Sequence, residues 1–231
     1  TKAYFAPAVR QYIGYEVADS NEKCPVCNRP VGTERQHYIS TPHGGATHRR
    51  AHAVTADMVH FTQECGMYPA LEKKVEDAPG QERPGDILIE IGGRRVLVDL
   101  TNYHVGSLSR SVSLKYASGQ YAFQAEKAKL KKQHKIQMID MPNVTFETAT
   151  AEVEALWDVG IAFKQGRQGQ YFWPGGTELL GAHGPFMSKL LRVIAQTYAG
   201  KDLVSADSAE IKMRRVLSKT IHDDIGRSLL Q

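Results

Sequence analysis

Cysteine is scarce: Cys24, Cys27 and Cys65 are the only three in 231 residues. An odd, sparse count argues against a secreted disulfide framework and fits a reducing compartment, where a C-x-x-C pair more often holds metal. No apolar run approaches the ~18 residues a transmembrane helix needs, so no membrane partner is expected. The start, Thr1-Lys2-Ala3-Tyr4-Phe5, carries neither a signal-peptide pattern nor an initiator Met, as expected of a segment cut from a longer protein. No internal repeat is visible. What is present is ordinary. Hydrophobic content of 42% with 23% charged residues excludes a disordered chain. Lys+Arg 29 against Asp+Glu 25 leaves +4, mildly basic. The length allows one domain or two, with a sizeable core.

Three stretches differ in character. Residues 1–23 have no hydrophobic period and read as a linker or the remnant of a preceding domain. Residues 24–52 are rich in Cys, His, Gly, Pro and Thr. They cannot build a core unaided, and so suggest a metal-held knuckle. Residues 53–231 carry the periodic elements. Val54, Met58, Phe61 and Cys65 recur at helical spacing. Ala70–Val75, after Pro69, predicts a second short helix. Asp86–Ile91 (DILIEI) and Arg95–Leu100 (RVLVDL) alternate around Gly92-Gly93, a strong hairpin signal.

Residues 102–120 read as a loop, and residues 121–135 as a helix with a basic face. Lys135–Ile139 and Val144–Glu147 read as strands about a Pro142-Asn143 turn, and Ala149–Leu156 as a short helix. Two helices close the chain, at about 184–199 and 206–230. Residues 160–176 have no clear assignment; their Tyr171-Phe172-Trp173 suits either a core or a base-stacking platform. The order predicts an α/β (α+β) domain, a mixed central sheet flanked by helices, beside a small zinc knuckle.

Cys24-Pro-Val-Cys27 is a good first half of a zinc site, since two thiolates two residues apart reach one tetrahedral ion from a tight turn. His37 and His43 are the preferred completion, with His48 and His52, at i and i+4, as alternatives. Cys65 reads as a buried helix residue. Arg49 and Arg50 suit either a solvated helix start or contact with phosphates.

Asp86 begins one hairpin strand and Asp99 lies near the end of the other. Folding about Gly92-Gly93 pairs positions whose numbers sum to about 185, which sets these two carboxylates face to face. Directly opposed like charges are destabilising, and a divalent cation between them is the usual remedy. Hard oxygen donors suit Mg²⁺ or Mn²⁺.

These residues resemble the core of the PD-(D/E)xK nucleases. There, one acid begins a strand, a second sits on the next, and a lysine follows. Two departures stand out. Gly85 is inserted in Arg83-Pro84-Gly85-Asp86, and Asp99-Leu100-Thr101 has Thr where the family has Lys. Some members carry that lysine on the following helix, where this chain offers Lys127, Lys129, Lys131 and Lys132. The order of knuckle (Cys24–His43), Arg83–Asp86, Val96–Thr101, Tyr121–Lys127 and the closing Arg214–Ser218 stretch is similar to the restriction-like endonuclease domain of site-specific non-LTR retrotransposons.

That resemblance implies roles. Asp86, Asp99 and the Leu100 carbonyl would hold magnesium, and Lys127 would act beside them, with Lys131 as its alternate. Glu72, or else Glu76, would complete the site from the preceding helix. Arg49, Arg50, Lys131 and Lys132 would contact DNA. The activity implied is nicking of double-stranded target DNA to leave a 3′-hydroxyl that primes reverse transcription. The partners implied are RNA and a reverse transcriptase domain of the same polyprotein, and the location is the nucleus. The competing expectation is a non-catalytic nucleic-acid-binding or scaffold module that keeps the fold.

Overall fold

The computed structural model describes residues 23, 28, 46–71, 85–103, 119–132, 145–159, 170–178, 181–199 and 205–228. Helix α1 spans Ala46–Glu64. Its stripe of Val54, Met58 and Phe61, continued by Cys65, is buried as the periodicity predicts. The helix stops at Gly66, whose φ of 70° is left-handed. The Gly66 amide donates to the Gln63 carbonyl (2.8 Å) and the Met67 amide to that of Thr62 (2.9 Å). This crossed pair satisfies carbonyls that would otherwise end the helix unpaired.

Four strands follow the order β1-β2-β3-β4. They are β1 (Ala70–Leu71), β2 (Ile87–Ile91), β3 (Arg94–Tyr103) and β4 (Gln170–Glu178). The first three are antiparallel, and β4 joins β3 in parallel. The hairpin forms where it was predicted, from Ile87 opposite Val98 to Ile91 opposite Arg94. Gly92 and Gly93 turn it with φ of 57° and 74°, the tight mirror-image turn that matches strand twist.

The predicted helix at Ala70–Val75 is corrected at its start. Ala70 and Leu71 pair with Leu88 and Ile87 as an edge strand. The exposed backbone of β2 overrides the helical preference of Ala-Leu-Glu-Lys-Lys.

A parallel β3–β4 pair needs a crossover. Helices α2 (Gln120–Lys132) and α3 (Phe146–Val159) lie between the two strands in sequence. The strand expected at Val144–Glu147 is also corrected, because Phe146 and Glu147 open α3. Thr145 caps that helix, its hydroxyl accepting from the Thr148 amide at 3.4 Å. The unassigned aromatic segment is β4, where Phe172 and Trp173 are buried. This places both in the core rather than on a stacking platform. Helices α4 (Pro185–Ala199) and α5 (Ala206–Ser228) close the chain, with α5 packed on α4 and α1.

Side chains alternate across the sheet. By register, Ile87, Ile89, Val96, Val98 and Trp173 share one face. There Trp173 meets Trp157 of α3 edge-on at 4.7 Å and Phe186 of α4 at 5.0 Å. Leu97, Asp99 and Phe172 point the other way. The sheet is therefore apolar on both sides, and Asp99 is a charge set among apolar neighbours.

Candidate active site

Asp86 lies at the open end of the ladder, across from the stretch of β3 that carries Asp99. The Asp86 amide donates to the Val98 carbonyl at 2.8 Å. Its Oδ2 accepts from the Leu100 amide at 2.7 Å, so the carboxylate takes the next rung in place of backbone. Asp99 sits between those two rungs on β3. Burial raises the Asp86 pKa above the ordinary carboxylate value; the Leu100 amide and the charges of Lys129 and His52 pull it back down.

Among the lysine side chains described on α2, Lys129 reaches this site. Its Nζ lies 2.8 Å from Asp99 Oδ1. Lys127 instead lies over the Phe123 ring, 5.5 Å from its centroid. Helical geometry explains the difference. Ala122, Glu126 and Lys129 recur at i, i+4 and i+7 and face the sheet, whereas Lys127 is turned about 160° from Lys129. A motif counted from Tyr121 selects Lys127; the inward stripe of the helix selects Lys129. Lys131 and Lys132 end the helix.

Arg50 is buried and points inward, its Nε donating to Asp224 Oδ2 of α5 at 3.2 Å. Arg49 lies 3.8 Å from the other oxygen of the same carboxylate. Burial removes Arg50 from the groups that can reach a phosphate, and its contribution is to join α1 to α5. Cys65 is buried, as expected, with its Sγ 3.6 Å from the Ile194 carbonyl. Cys24, Cys27, His37, His43, Glu72 and Glu76 lie outside the described residues.

Two further acids hold α2 in place. Glu178 Oε1 accepts from the Tyr121 and Ala122 amides at 3.0 and 3.4 Å, capping the start of α2 from β4. Glu126 is fully buried. Its Oε1 accepts from the Gly176 and Met187 amides, both at 2.9 Å, and its Oε2 from Phe186 at 3.3 Å. It thus caps α4 from outside that helix, and burial pushes its pKa up to about 8 despite three donors. A Cβ on Gly176 would lie 2.5 Å from the Ala122 carbonyl, and one on Gly184 would lie 2.2 Å from Glu126 Oε2. The sequence reading missed Glu126. Its signal was a charged residue inside the apolar stripe of a helix.

Along α1, His48, His52 and His60 line a cleft of about 800 Å³ whose far side carries Leu71 and Asp86. Among the described residues no three His, Cys, Asp or Glu side chains cluster closely enough to hold a metal ion. The hairpin acids nonetheless fit magnesium. That ion is commonly held by one or two carboxylates, with waters and substrate phosphate completing its shell. No protein-family model matches the chain, and no curated protein is detectably similar to it in sequence.

Proposed function

We propose that this domain is a metal-dependent DNA endonuclease of the PD-(D/E)xK kind, which nicks target DNA to expose a 3′-hydroxyl for reverse transcription by a neighbouring domain. The observation that carries this reading is the Asp86–Asp99–Lys129 arrangement. One acid immediately precedes β2, the second lies on β3, and a lysine from the next helix contacts the second at 2.8 Å. The mixed sheet flanked by helices is the architecture the reading requires. Asp86, Asp99 and the Leu100 carbonyl are the groups that would hold Mg²⁺ or Mn²⁺. When bound, the ion acidifies a water and polarises the scissile phosphate. Lys129 is partly exposed and neutralises charge on the phosphate oxygens beside Asp99. Target DNA, RNA and the reverse transcriptase of a polyprotein, a zinc knuckle before α1 and a nuclear location belong to the same proposal.

A second reading is a non-catalytic scaffold. It is supported by the Asp99–Lys129 pair itself, since a half-buried ion pair serves packing equally well.

Nicking of supercoiled plasmid, with Mg²⁺ or Mn²⁺ and then with chelator, separates the two. We expect metal-dependent nicking that Asp99→Ala abolishes. Lys129→Gln should lower the rate by about 10²-fold or more, the scale of losing one transition-state charge partner. Lys127→Gln should change it by less than about threefold, since that side chain lies over Phe123. Nicking that survives chelation or Asp99→Ala overturns the assignment. If nothing nicks and calorimetry shows no Mn²⁺ binding, the scaffold reading stands.

A further inference from the structure

From the place of Glu126 between α2, β4 and α4, we infer that it is the positioning residue of the site: it sets the height and rotation of α2 at which Lys129 meets Asp99. This deepens the endonuclease reading and rests on it for what Lys129 does to a phosphate. Glu126 is 0% exposed, so it touches no substrate and acts through another group.

The contacts close on themselves. Glu126 and Lys129 are three residues apart on α2, ~4.5 Å along its axis and on one side of it. The Gly176 amide of β4 donates to Glu126 at 2.9 Å. Gly176 lies opposite Thr101 of β3, and Pro174 lies opposite Asp99. Two strand residues, ~6.6 Å, therefore separate the rung that anchors Glu126 from the rung that carries Asp99. Lys129 closes the ring, its ammonium donating to Asp99 at 2.8 Å. Phe186 and Met187, at the start of α4, donate to the same Glu126 carboxylate. Hydrogen bonds are short and directional, so bonds to two elements at once fix α2 both along its axis and about it. A slide or rotation that breaks them also draws the ammonium away from Asp99.

Packing alone does not call for a carboxylate here. A buried acid is costly to desolvate, and an apolar side chain of similar size would hold the helix to the sheet as well or better. Two neighbours also stay small to admit it. A Cβ on Gly176 would lie 2.8 Å from Glu126 Cγ, and one on Gly184 would meet the carboxylate itself. What apolar contact lacks is direction. The group on this face of α2 that needs placing is the Lys129 ammonium, because a charge favours a transition state most when it is already aimed at it.

Single-turnover nicking of supercoiled plasmid would be compared for wild type, Glu126→Gln, Lys129→Gln and the double variant, at a temperature where circular dichroism shows each folded. Glu126→Gln keeps the Gly176 and Met187 bonds and loses the one from Phe186. It should slow nicking about tenfold in the wild-type background and less than about twofold in Lys129→Gln, because residues that act through one another are not additive. Glu126→Asp, which keeps the charge and withdraws the carboxylate by one methylene, should give the same pattern. Gly93→Ala, a mild destabilisation at the hairpin turn, should leave the rate unchanged. The side-chain NMR resonances of Lys129, identified by their loss in Lys129→Gln, give a readout without cleavage. Asp99→Ala should displace them, and so should Glu126→Gln, while Gly93→Ala should not.

Equal fold-losses from Glu126→Gln in the two backgrounds overturn the inference. So does an equal loss from Gly93→Ala, which would mean a general loosening of the fold. If Lys129→Gln slows nicking but Glu126→Gln moves neither rate nor resonances, the positioning role fails and the nuclease stands. If nothing is nicked and Glu126→Gln still displaces the Lys129 resonances where Gly93→Ala does not, the placing of Lys129 stands and the nuclease reading fails. With no nicking and no displacement, both fail.

Discussion

Single residues decide which acids are chemical and which are structural. Glu126 and Glu178 are more enclosed by backbone donors than Asp86, and both end helices rather than face a cleft. Glu126 is the sharper case. Replacing it with Gln keeps its volume and lets Oε1 still accept from Gly176 and Met187. The new amide then faces the Phe186 amide, donor against donor. We expect a loss of about 1–3 kcal/mol of stability in denaturant unfolding. Gly176→Ala should cost at least as much, because the added methyl meets backbone at 2.5 Å rather than a movable side chain. Asp86 and Asp99 could be read from the sequence because a two-glycine turn dictates what lies opposite what. Lys129 was one of four candidate lysines, and Glu126 went unnoticed. Their roles depend on which face of α2 meets the sheet, and no local pattern states that.

At the level of elements, strong local signals survived and weak ones were overruled. The Gly92-Gly93 hairpin is local, and so was predictable. Both glycines have positive φ, and a Cβ on either would meet nothing within 4 Å, so backbone preference alone sets the outcome of substitution. Gly93→Ala should lower stability by about 1–2 kcal/mol, the cost of a left-handed L-residue. Gly92→Asn should be neutral or stabilising, since Asn-Gly is the preferred pair for this turn. Equilibrium urea unfolding of the two variants checks both. Losses of equal size would show that the turn is not of this type. The misread elements are Ala70–Leu71, drawn into the sheet by an open edge, and Phe146–Glu147, drawn into a helix by the Thr145 cap. Strand β4 was unreadable because Pro174-Gly175-Gly176 breaks any period. Those small residues are there to admit Leu100, Met187 and Glu126.

For the whole molecule, buried titratable groups shape stability against pH. Glu126 is raised from 4.5 to about 8. The folded state then holds a proton the unfolded chain has released, so stability falls as pH rises through that window. Asp57, Asp86 and Glu178 are also raised by burial and act in the same direction. His183 has the opposite sign. Burial, helped by the Arg214 charge, lowers it from 6.5 to about 3. There the unfolded state binds the extra proton, and stability falls as pH drops. His222, also lowered by burial, adds to that limb.

The two effects oppose each other between 4.5 and 6.5, where stability should be nearly level. It should decline on both sides. Thermal melts across pH test this, and Glu126→Gln should flatten the alkaline decline. A melting temperature that climbs steadily from pH 6.5 to 8 would contradict it.

Sequence alone determined the helical stripe of α1, the hairpin and its register, and the two closing helices. Each is a short-range matter of periodicity, turn chemistry or pairing about a known turn. Tertiary structure decided which lysine joins the acids, that Arg50 is spent on Asp224, that the aromatic run is core, and that α1 walls a cleft. Those outcomes depend on contacts between residues far apart in the chain. Burial and the satisfaction of distant backbone donors select them, and neither is written in any one segment.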